Sequence, residues 1–480
     1  MLFNSFSFLG FFTAIVIVYY LLPHRFRWLF LLAASLYYYC RLDWRYVGVL
    51  LAMTLVTYLL GLAIGGTTGT ARKTWFALGL LVPLGSLLVV KYYNFFAGAI
   101  NGLLGVSADA AAGLPPLKFW GLAGLSFYSF SAASYVFDVY RGKLAATRHL
   151  GHFALYMAFF PKLLAGPIER ATTFLPQLLN KVHFDPANVT AGLQMILWGL
   201  FKKVVVADRL AVFVDAAYQS PGMTSPADLL IGVYFYAFQI YCDFSGYTDI
   251  AIGAARVLGF NLMENFRRPY FSKGTPEFWA DRWHISLNRW FRDYLYFPMG
   301  GSRVPTYRIY INLMAVFLVS GLWHGSNWTF IIWGGLNGLY GVLARATAGS
   351  RNRISQAVHL PSRLSGFLSA LVTFHLILLT WVFFRATSIA DATTVLSRIF
   401  SNLGSMPALL ARKPMTEELV LALLAIAVLL FVEALEEWRN FWPALQAKPK
   451  AVRWGIYYAF IFALVIFGSW QMREFVYMQF

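Results

Sequence analysis

The residue best suited to chemistry is a histidine inside a long uncharged stretch. His324 is the only histidine or charged residue between positions 309 and 344. It stands in the sequence Leu-Trp-His-Gly, and the Gly325-Ser326-Asn327 segment that follows favours a tight turn or a helix break. Neutral imidazole is suited to general-base catalysis near pH 7. The sequence therefore predicts a general base here or, as the structural alternative, a histidine that bonds a carbonyl exposed by the break.

A second histidine, His284, lies in a run of alternating aromatic and charged residues at 277–303. Such residues suit the membrane–water interface, because their bodies are apolar and their polar ends reach water. If residues 283–294 form a helix, His284, Asn288 and Arg292 lie along one face and can line a polar cavity. The alternative is a helix that only anchors the chain at the interface.

Carboxylates and hydroxyls cluster in the segment 241–249, which reads YCDFSGYTD and follows an apolar run. Ionisable groups inside a membrane must be paired within the protein. Asp243 and Asp249 are therefore expected to have structural partners, such as Arg256, Arg209 or broken backbone. This structural reading is favoured over a catalytic one.

Common nucleophile and phosphate-binding motifs do not occur in the sequence. It contains neither the G-x-x-x-x-G-K-[ST] phosphate loop nor the G-x-S-x-G nucleophile elbow. Its two cysteines, Cys40 and Cys242, stand in apolar surroundings and indicate neither a disulfide framework nor a zinc site. With no evident nucleophile, the two histidines favour general-base catalysis on an incoming hydroxyl, without a metal.

The composition indicates an integral membrane protein. Of the 480 residues, 59% are hydrophobic and only 12% are charged, whereas soluble domains carry about 25% charged residues. Asp, Glu, Lys and Arg are absent from 46–71, 119–137, 309–344, 364–384 and 454–472. A membrane-spanning helix needs about 20 apolar residues, so these stretches predict a multi-pass, all-α protein.

The spans are expected in two groups that flank a different middle third. They are predicted near 4–22, 28–40, 46–65, 74–96, 117–138, 309–322, 327–345, 364–385, 416–434 and 454–472. Residues 97–116 resemble a linker, and 389–403 predict an amphipathic helix in the interface. Between 151 and 308 the apolar runs are shorter and broken by charge, proline and glycine. Broken backbone at membrane depth is tolerated only inside protein or beside a cavity, which predicts the functional site in this third.

The charge balance has a plain explanation in a membrane protein. The 39 Lys and Arg against 21 Asp and Glu give a net charge of +18. The basic residues stand mostly in short connections, where the positive-inside rule places them on the cytoplasmic side. Nucleic acid is therefore not an expected partner. The opening stretch 1–23 lacks a basic leader and a cleavage site, and is expected to remain as the first span.

Six segments around the residues discussed above resemble the membrane-bound O-acyltransferase (MBOAT) family. The resemblance is closer to the branch that contains the membrane subunit of bacterial alginate O-acetylation and its counterparts for peptidoglycan and teichoic acid. The resembling segments are FFPKLLAGPIER (159–170), WGLFKKVVVADRLA (198–211), QIYCDFSGYTDIAIGAARVLGFNLMENFRRPY (239–270), RWHISLNRWFRDYLYFPMGGSR (282–303), FLVSGLWHGSNWTFIIWGGLNG (317–338) and WVFFRA (381–386). They cover much of 150–390 and are specific as a set.

The resemblance implies an all-α bundle of about a dozen helices, some re-entrant, around a transmembrane tunnel. It implies a single domain over 1–480, with N-terminal spans in 1–115, a catalytic core in 116–390 and C-terminal spans in 391–480. His324 matches the family's catalytic histidine. His284 matches a histidine expected to line the same tunnel.

The resemblance also implies the substrates. A cytoplasmic thioester, acetyl-CoA, is the expected acyl donor, with no permanently bound cofactor. The acceptor is expected to be a polysaccharide outside the inner membrane, reached through a partner with a periplasmic hydrolase-like domain. Lys202, Lys203, Arg267 and Arg268 are candidates to attract the donor phosphates.

One departure and two alternatives accompany this resemblance. Asp281 stands between Phe278-Trp279 and Trp283-His284, where relatives often carry only basic residues, and it is expected to alter the local charge near the tunnel mouth. A transporter or flippase for a lipid-linked saccharide also explains the charges of the middle third. A scaffold that recruits a separate acyltransferase is the other alternative.

Overall fold

The uncharged stretches of the sequence form long helices. The computed structural model of the chain describes residues 1–107, 113–117, 121–358, 361–470 and 473–476. Within those ranges the regular structure is helical and contains no β-strand. The chain divides into two compact units, one formed by residues 1–194 and 251–263 and the other by 195–250 and 264–479.

The first unit contains the N-terminal helices. These are α1 (Phe6–Leu21), α2 (His24–Cys40), α3 (Trp44–Gly66), α4 (Gly69–Leu87), α5 (Tyr93–Leu104), α6 (Leu125–Tyr140), α7 (Leu150–Ala158), α8 (Phe160–Leu163) and α9 (Ala171–Leu179). Helices α10 (Pro186–Leu200) and α12 (Pro226–Val257) each contribute residues to both units.

The second unit contains the remaining helices. These are α11 (Asp208–Gln219), α13 (Thr275–Glu277), α14 (Ile285–Phe291), α15 (Thr306–His324), α16 (Trp328–Ala346), α17 (Ala348–Val358), α18 (Ser362–Arg385), α19 (Ile389–Ser401), α20 (Met406–Ala411), α21 (Glu417–Arg439), α22 (Phe441–Gln446) and α23 (Lys450–Phe467). A 3₁₀ turn covers Pro269–Phe271.

In the described part of the chain, four π-helical segments interrupt or extend these helices, and such segments often occur at functional sites. They are Leu88–Tyr92, Phe201–Ala207, Phe278–Arg282 and Arg292–Tyr296.

Among the described residues, seven helices are long and apolar enough to cross a membrane. They are Trp44–Gly66, Gly69–Leu104, Pro186–Gln219, Thr306–His324, Ser362–Arg385, Glu417–Arg439 and Lys450–Phe467. The prediction of an all-α, multi-pass membrane protein is confirmed.

The structure changes several predicted elements. The span expected at 74–96 is part of a longer helix, Gly69–Leu104, which continues through a π turn. Gly105, with a left-handed backbone, caps its end. The predicted linker 97–116 is therefore helical at its start, and its residues 108–112 lie outside the described ranges. Residues 118–120 of the span predicted at 117–138, and residues 471–472 of the last span, also lie outside them.

The middle third is more continuous than its sequence predicted. Helix α12 runs unbroken for 32 residues, although the sequence 226–257 carries glycines and charges that favoured shorter pieces. Its carboxylates have partners inside the protein, as described below, so the helix can continue past them. The amphipathic helix predicted at 389–403 is confirmed as α19, with Ala392, Val395 and Ile399 buried on one side.

Small residues decide how closely helices approach in the first unit. A Cβ atom added at Gly79 of α4 would lie 2.9 Å from Cγ1 of Val136 in α6. Helix α6 is buried along almost its whole length and is rich in alanine and serine. Close approach through small residues is the usual way that helices pack in membranes, because lipid gives no hydrophobic drive for association.

In the second unit, α15 and α16 form a tightly packed hairpin. A Cβ atom at Gly321 would lie 2.3 Å from the carbonyl oxygen of Phe330, and one at Gly334 would lie 2.4 Å from that of Phe317. Any side chain at either glycine would therefore push the two backbones apart. This hairpin carries His324 at its bend.

Candidate active site

His324 is the last residue of α15, at the bend of the hairpin. Gly325 is extended, and the side chain of Asn327 caps α16 by accepting a hydrogen bond of 3.1 Å from the amide of Thr329. The chain thus turns directly after the histidine. The imidazole points into the protein and only 3% of the residue is exposed.

Aromatic rings from three helices surround His324. The ring centroids of Trp323, Trp333 and Phe384 lie 5.0, 5.0 and 5.3 Å from that of the imidazole, each in an edge-to-face arrangement. These residues belong to α15, α16 and α18, so the packing of three helices fixes the ring. The sequence did not identify Trp333 or Phe384 as site residues, because their proximity depends on the tertiary fold.

His284 does not lie within a helix, contrary to the prediction. It precedes α14 and adopts a left-handed backbone with φ of 44°. The amide nitrogen of Ile285 donates to the carbonyl of Asn265 at 2.9 Å. The Asn288 amide donates to the carbonyls of Trp283 and His284 at 2.7 and 3.1 Å. Asn288 therefore closes this turn, and His284 does not join the predicted face. Asn288 and Arg292 do share a face and both line a cavity, as described below.

The structure brings the two predicted histidines together. His284 is 1% exposed, and its ring centroid lies 6.3 Å from that of His324. Phe244 and Trp323 contact the His284 ring at centroid distances of 4.8 and 5.8 Å. A group bound between the two imidazoles would touch both of them.

The protonation state of His284 follows from its burial. Removal from water penalises the charged form and lowers the pKa of the His284 imidazole from 6.5 to about 3. The ring is neutral at physiological pH. It can accept one hydrogen bond and donate another, but it does not supply a positive charge.

The carboxylates of α12 form a separate ionic cluster. Lys203 Nζ lies 2.9 Å from Asp208 and 2.6 Å from Asp243, and Lys202 Nζ lies 2.6 Å from Asp249. The structural reading of Asp243 and Asp249 is therefore supported, but their partners are lysines and not the predicted arginines. Arg209 instead pairs with Glu418 and Arg256 bonds Asn188.

A close approach of two backbones makes this pairing possible. A Cβ atom at Gly199 would lie 2.6 Å from the carbonyl oxygen of Gly246. The π segment that begins at Phe201 then places Lys202 and Lys203 against α12. Both lysines are buried and paired with carboxylates, so a donor phosphate would have to compete with these carboxylates.

The other two predicted phosphate ligands also have carboxylate partners. Arg267 pairs with Glu264, and Arg268 Nε lies 2.6 Å from Glu437. A phosphate would have to compete with these carboxylates. The two arginines are therefore weaker candidates than the sequence suggested.

A different set of arginines lines a cavity of about 530 Å³ in the second unit. Arg289, Arg292 and Arg345 contribute positive charge, and Asp281 contributes one negative charge. Within the described residues, Arg289 and Arg345 have no ion-pair partner, whereas Arg292 pairs with Asp293 at 3.0 Å. The cavity is therefore net positive.

The inner wall of this cavity reaches the aromatic shell of His324. It is lined by apolar residues that include Leu313, Phe317 and Trp279. The ring of Trp279 lies 5.3 Å from that of Trp333, which contacts His324. The indole also donates to Asn337 Oδ1 at 3.1 Å. Trp279 thus belongs both to the cavity wall and to the aromatic residues that pack around Trp333 and His324.

His324 ends a helix that is long and apolar enough to cross a membrane, and it forms with His284 a buried pair of imidazoles among aromatic rings. This pair is a candidate general-base site in a multi-pass membrane protein. Comparison with known proteins gives the family. Residues 143–386 match the model of the membrane-bound O-acyltransferase family, MBOAT. The chain belongs to this family, as the sequence predicted.

Individual relatives agree with this assignment. The chain is 39% identical to a "probable alginate O-acetylase" of Azotobacter vinelandii, over 84% of this chain and 78% of the relative. It is 37% identical to the protein of the same description in Pseudomonas putida, over 94% and 91% of the two chains. It is 33% identical to the peptidoglycan O-acetyltransferase of Helicobacter pylori, over 82% and 79%. The chain is therefore a membrane O-acyltransferase.

Proposed function

We propose that this enzyme transfers an acetyl group from a cytoplasmic thioester, acetyl-CoA, to hydroxyls of a polysaccharide outside the inner membrane. His324 is the general base and His284 assists it. The observation that carries the proposal is the juxtaposition of two buried imidazoles whose ring centroids lie 6.3 Å apart. The relatives, described as a probable alginate O-acetylase and a peptidoglycan O-acetyltransferase, support the polysaccharide acceptor.

The step at His324 is a transfer from the thioester to one acceptor hydroxyl, which belongs to the polysaccharide or to a partner protein that passes the acyl group on. His324 removes the proton of the acceptor hydroxyl while the hydroxyl oxygen attacks the thioester carbonyl. A carbon–oxygen bond forms, the carbon–sulfur bond breaks, and the imidazolium returns its proton to the departing thiolate. A positioned base of this kind typically contributes about 10²–10⁴-fold to the rate.

His284 is assigned a supporting role in this step. Its neutral ring can donate a hydrogen bond to the acyl carbonyl oxygen, on which negative charge develops during attack. Alternatively, the same ring nitrogen orients the acceptor hydroxyl. In either role it is a catalytic residue, because it touches a reacting group.

The arginine-lined cavity is proposed as the entrance for the donor. Acetyl-CoA carries phosphates at one end and its thioester at the end of a long, flexible arm that contains amide groups. Arg289 and Arg345 would hold the phosphates, and the apolar wall would guide the arm toward Trp279. The excess of arginine favours the cytoplasmic side for this mouth. Trp279 would have to rotate for the thioester to reach His324.

The acceptor side involves a second protein in this proposal. A polysaccharide chain is too large to enter a site in which both histidines are more than nine-tenths buried. A periplasmic or extracellular partner with a hydrolase-like domain would therefore present or receive the acyl group. Localisation in a bacterial inner membrane, with several spans, follows from the same proposal.

The deciding experiment measures acyl esters directly. Cells carry the intact protein, His324→Ala or no protein, with membrane levels matched by immunoblot. Alkali-releasable acyl groups on envelope and secreted polysaccharide are identified by mass spectrometry. The proposal expects an acetyl signal that needs the protein and disappears with His324→Ala. An equal signal from His324→Ala would show that His324 is not the general base and would favour the transporter and scaffold alternatives.

A further inference from the structure

Two segments next to the active site, residues 264–268 and 282–288, each contain a left-handed residue that is not glycine. Arg268 has φ of 42° and His284 has φ of 44°. Such conformations are disfavoured for residues with a side chain and persist only where the surrounding structure enforces them. The geometry of His284 therefore requires an explanation outside the residue itself.

The two segments are hydrogen-bonded to each other. The amide of Arg267 donates to the carbonyl of Arg282 at 2.9 Å, and the amide of Ile285 donates to that of Asn265 at 2.9 Å. The hydroxyl of Ser286 also donates to the side-chain oxygen of Asn265 at 2.9 Å. A displacement of one segment is thus transmitted to the other.

A carboxylate from a distant helix holds both segments. Arg282 donates to both oxygens of Glu437, with distances of 2.8 and 3.0 Å. Arg268 Nε donates to the same carboxylate at 2.6 Å. Glu437 lies in the last part of α21, in the region predicted to contribute only C-terminal spans. We call Arg268, Arg282 and Glu437 the Glu437 clamp.

Further bonds of Arg282 connect the clamp to His284. The guanidinium donates to Glu277 at 2.7 Å and to the carbonyl of Arg268 at 3.2 Å. The next residue, Trp283, donates its amide to the carbonyl of Phe278 at 2.8 Å. Arg282 is therefore fixed at several points, and His284 follows it by two residues. Bidentate pairing of arginine with a carboxylate gives orientation as well as attraction.

We propose that Glu437 is a positioning residue for acyl transfer. Through Arg282 and Arg268 it enforces the left-handed backbones and thereby directs the imidazole of His284 toward His324. The consequence for the reaction rests on the proposed function, because it requires His284 to act on a reacting group. The effect of Glu437 on the backbones of Arg268 and His284 does not depend on the proposed function.

The test variant is Glu437→Gln, which keeps the size of the side chain and removes its charge. The matched control is Glu418→Gln on the same helix, which breaks the ion pair with Arg209 instead. Arg282→Lys is the second variant, since a lysine cannot make the bidentate pair. All are made in the full-length protein in membranes, with acetyl-CoA as donor and the acceptor identified by the ester analysis.

Glu437→Gln is expected to lower kcat about tenfold while KM for acetyl-CoA changes less than about twofold, because the loss affects an interaction of the transition state. Glu418→Gln is expected to leave both near their original values. In a His284→Ala background, Glu437→Gln should cause little further loss of kcat. If Glu437→Gln instead lowers kcat by the same factor with and without His284→Ala, the clamp does not act through His284 and the proposal is wrong.

A second measurement, of backbone hydrogen exchange, does not depend on acyl transfer. Hydrogen exchange followed by mass spectrometry should show faster exchange in peptides covering 264–268 and 282–288 for Glu437→Gln and Arg282→Lys, but not for Glu418→Gln. Unchanged exchange in these peptides would overturn the proposal. If the intact protein shows no His324-dependent transfer, the proposed function fails, and the exchange result still decides whether Glu437 holds His284.

Discussion

The second unit contains two buried polar sites that are built differently. In the ionic cluster, each lysine is matched with carboxylates at 2.6–2.9 Å. In the histidine site, the rings that contact His324 belong to tryptophan and phenylalanine, with centroids 5.0–5.3 Å away. One site opposes every charge with another charge. The other surrounds two imidazoles with apolar surface.

The type of neighbour indicates whether a buried polar group is suited to stabilise the fold or to take part in a reaction. A lysine held between two carboxylates has its charge matched by its neighbours, and it cannot leave them without a large loss. An imidazole among aromatic rings can exchange a proton with a group that enters the site, because its pKa lies near physiological pH when it is not perturbed. The sequence favoured a structural role for the carboxylates and a general-base role for His324, and the structure adds the neighbours that distinguish the two sites.

The largest effect is expected at His324. His324→Ala should lower the rate of acetyl transfer by about 10²–10⁴-fold, because it removes the general base. Since the aromatic shell remains, the protein should still fold. The measurement is the initial rate of thiol release from acetyl-CoA in membranes, together with the melting temperature. A melting temperature that falls in parallel with the rate would show that His324 is a structural residue.

The second effect concerns the ionic cluster. Lys203→Met leaves Asp208 and Asp243 without their counter-charge in the interior. Removal of one partner from a buried pair typically destabilises a protein by about 3–5 kcal/mol. Yield and unfolding temperature in detergent should therefore fall, and activity should fall only with the amount of folded protein.

The control for that variant is Lys413→Met. Lys413 forms a more exposed pair with Asp228, and such pairs contribute about 0–1 kcal/mol. It should therefore change the unfolding temperature little. A folded Lys203→Met protein that has lost its specific activity would place the ionic cluster in the catalytic machinery and would erase the contrast between the two sites.

A smaller effect is expected at His284. His284→Asn is the informative variant, because asparagine tolerates a left-handed backbone better than most residues. Loss of one hydrogen bond of about 1–1.5 kcal/mol corresponds to roughly a tenfold lower kcat. His284→Ala should lose more, since it also strains the backbone. If both variants keep the original kcat, His284 only lines the site.

The smallest effect is expected at the arginine-lined cavity. Arg345→Gln should raise KM for acetyl-CoA about threefold and leave kcat unchanged, since an exposed ion pair contributes about 0.2–1 kcal/mol. The difference should shrink at high salt. Arg308→Gln serves as the control, because Arg308 is exposed on α15 but does not line the cavity. Equal KM values for both variants would exclude this cavity as the donor entrance.

The sequence by itself determined the class of the protein and its main catalytic candidate. Long uncharged stretches require membrane helices, because few other structures satisfy the backbone within lipid. A histidine before a glycine in such a stretch marks the bend of a hairpin, and α15 does end at His324. The family also followed from local sequence segments. These properties depend on composition and on residues close together in the chain.

The tertiary structure decided the partners of buried groups and the backbone at the site. Helical periodicity predicted that His284 and Asn288 share a face, but the chain takes a left-handed turn at His284 because distant segments hold it there. Asp243 pairs with Lys203 and not with the predicted arginines, because the glycine at position 199 lets its backbone approach that of Gly246 in α12. Such pairings join residues far apart in sequence, and local spacing contains no information about which helices meet.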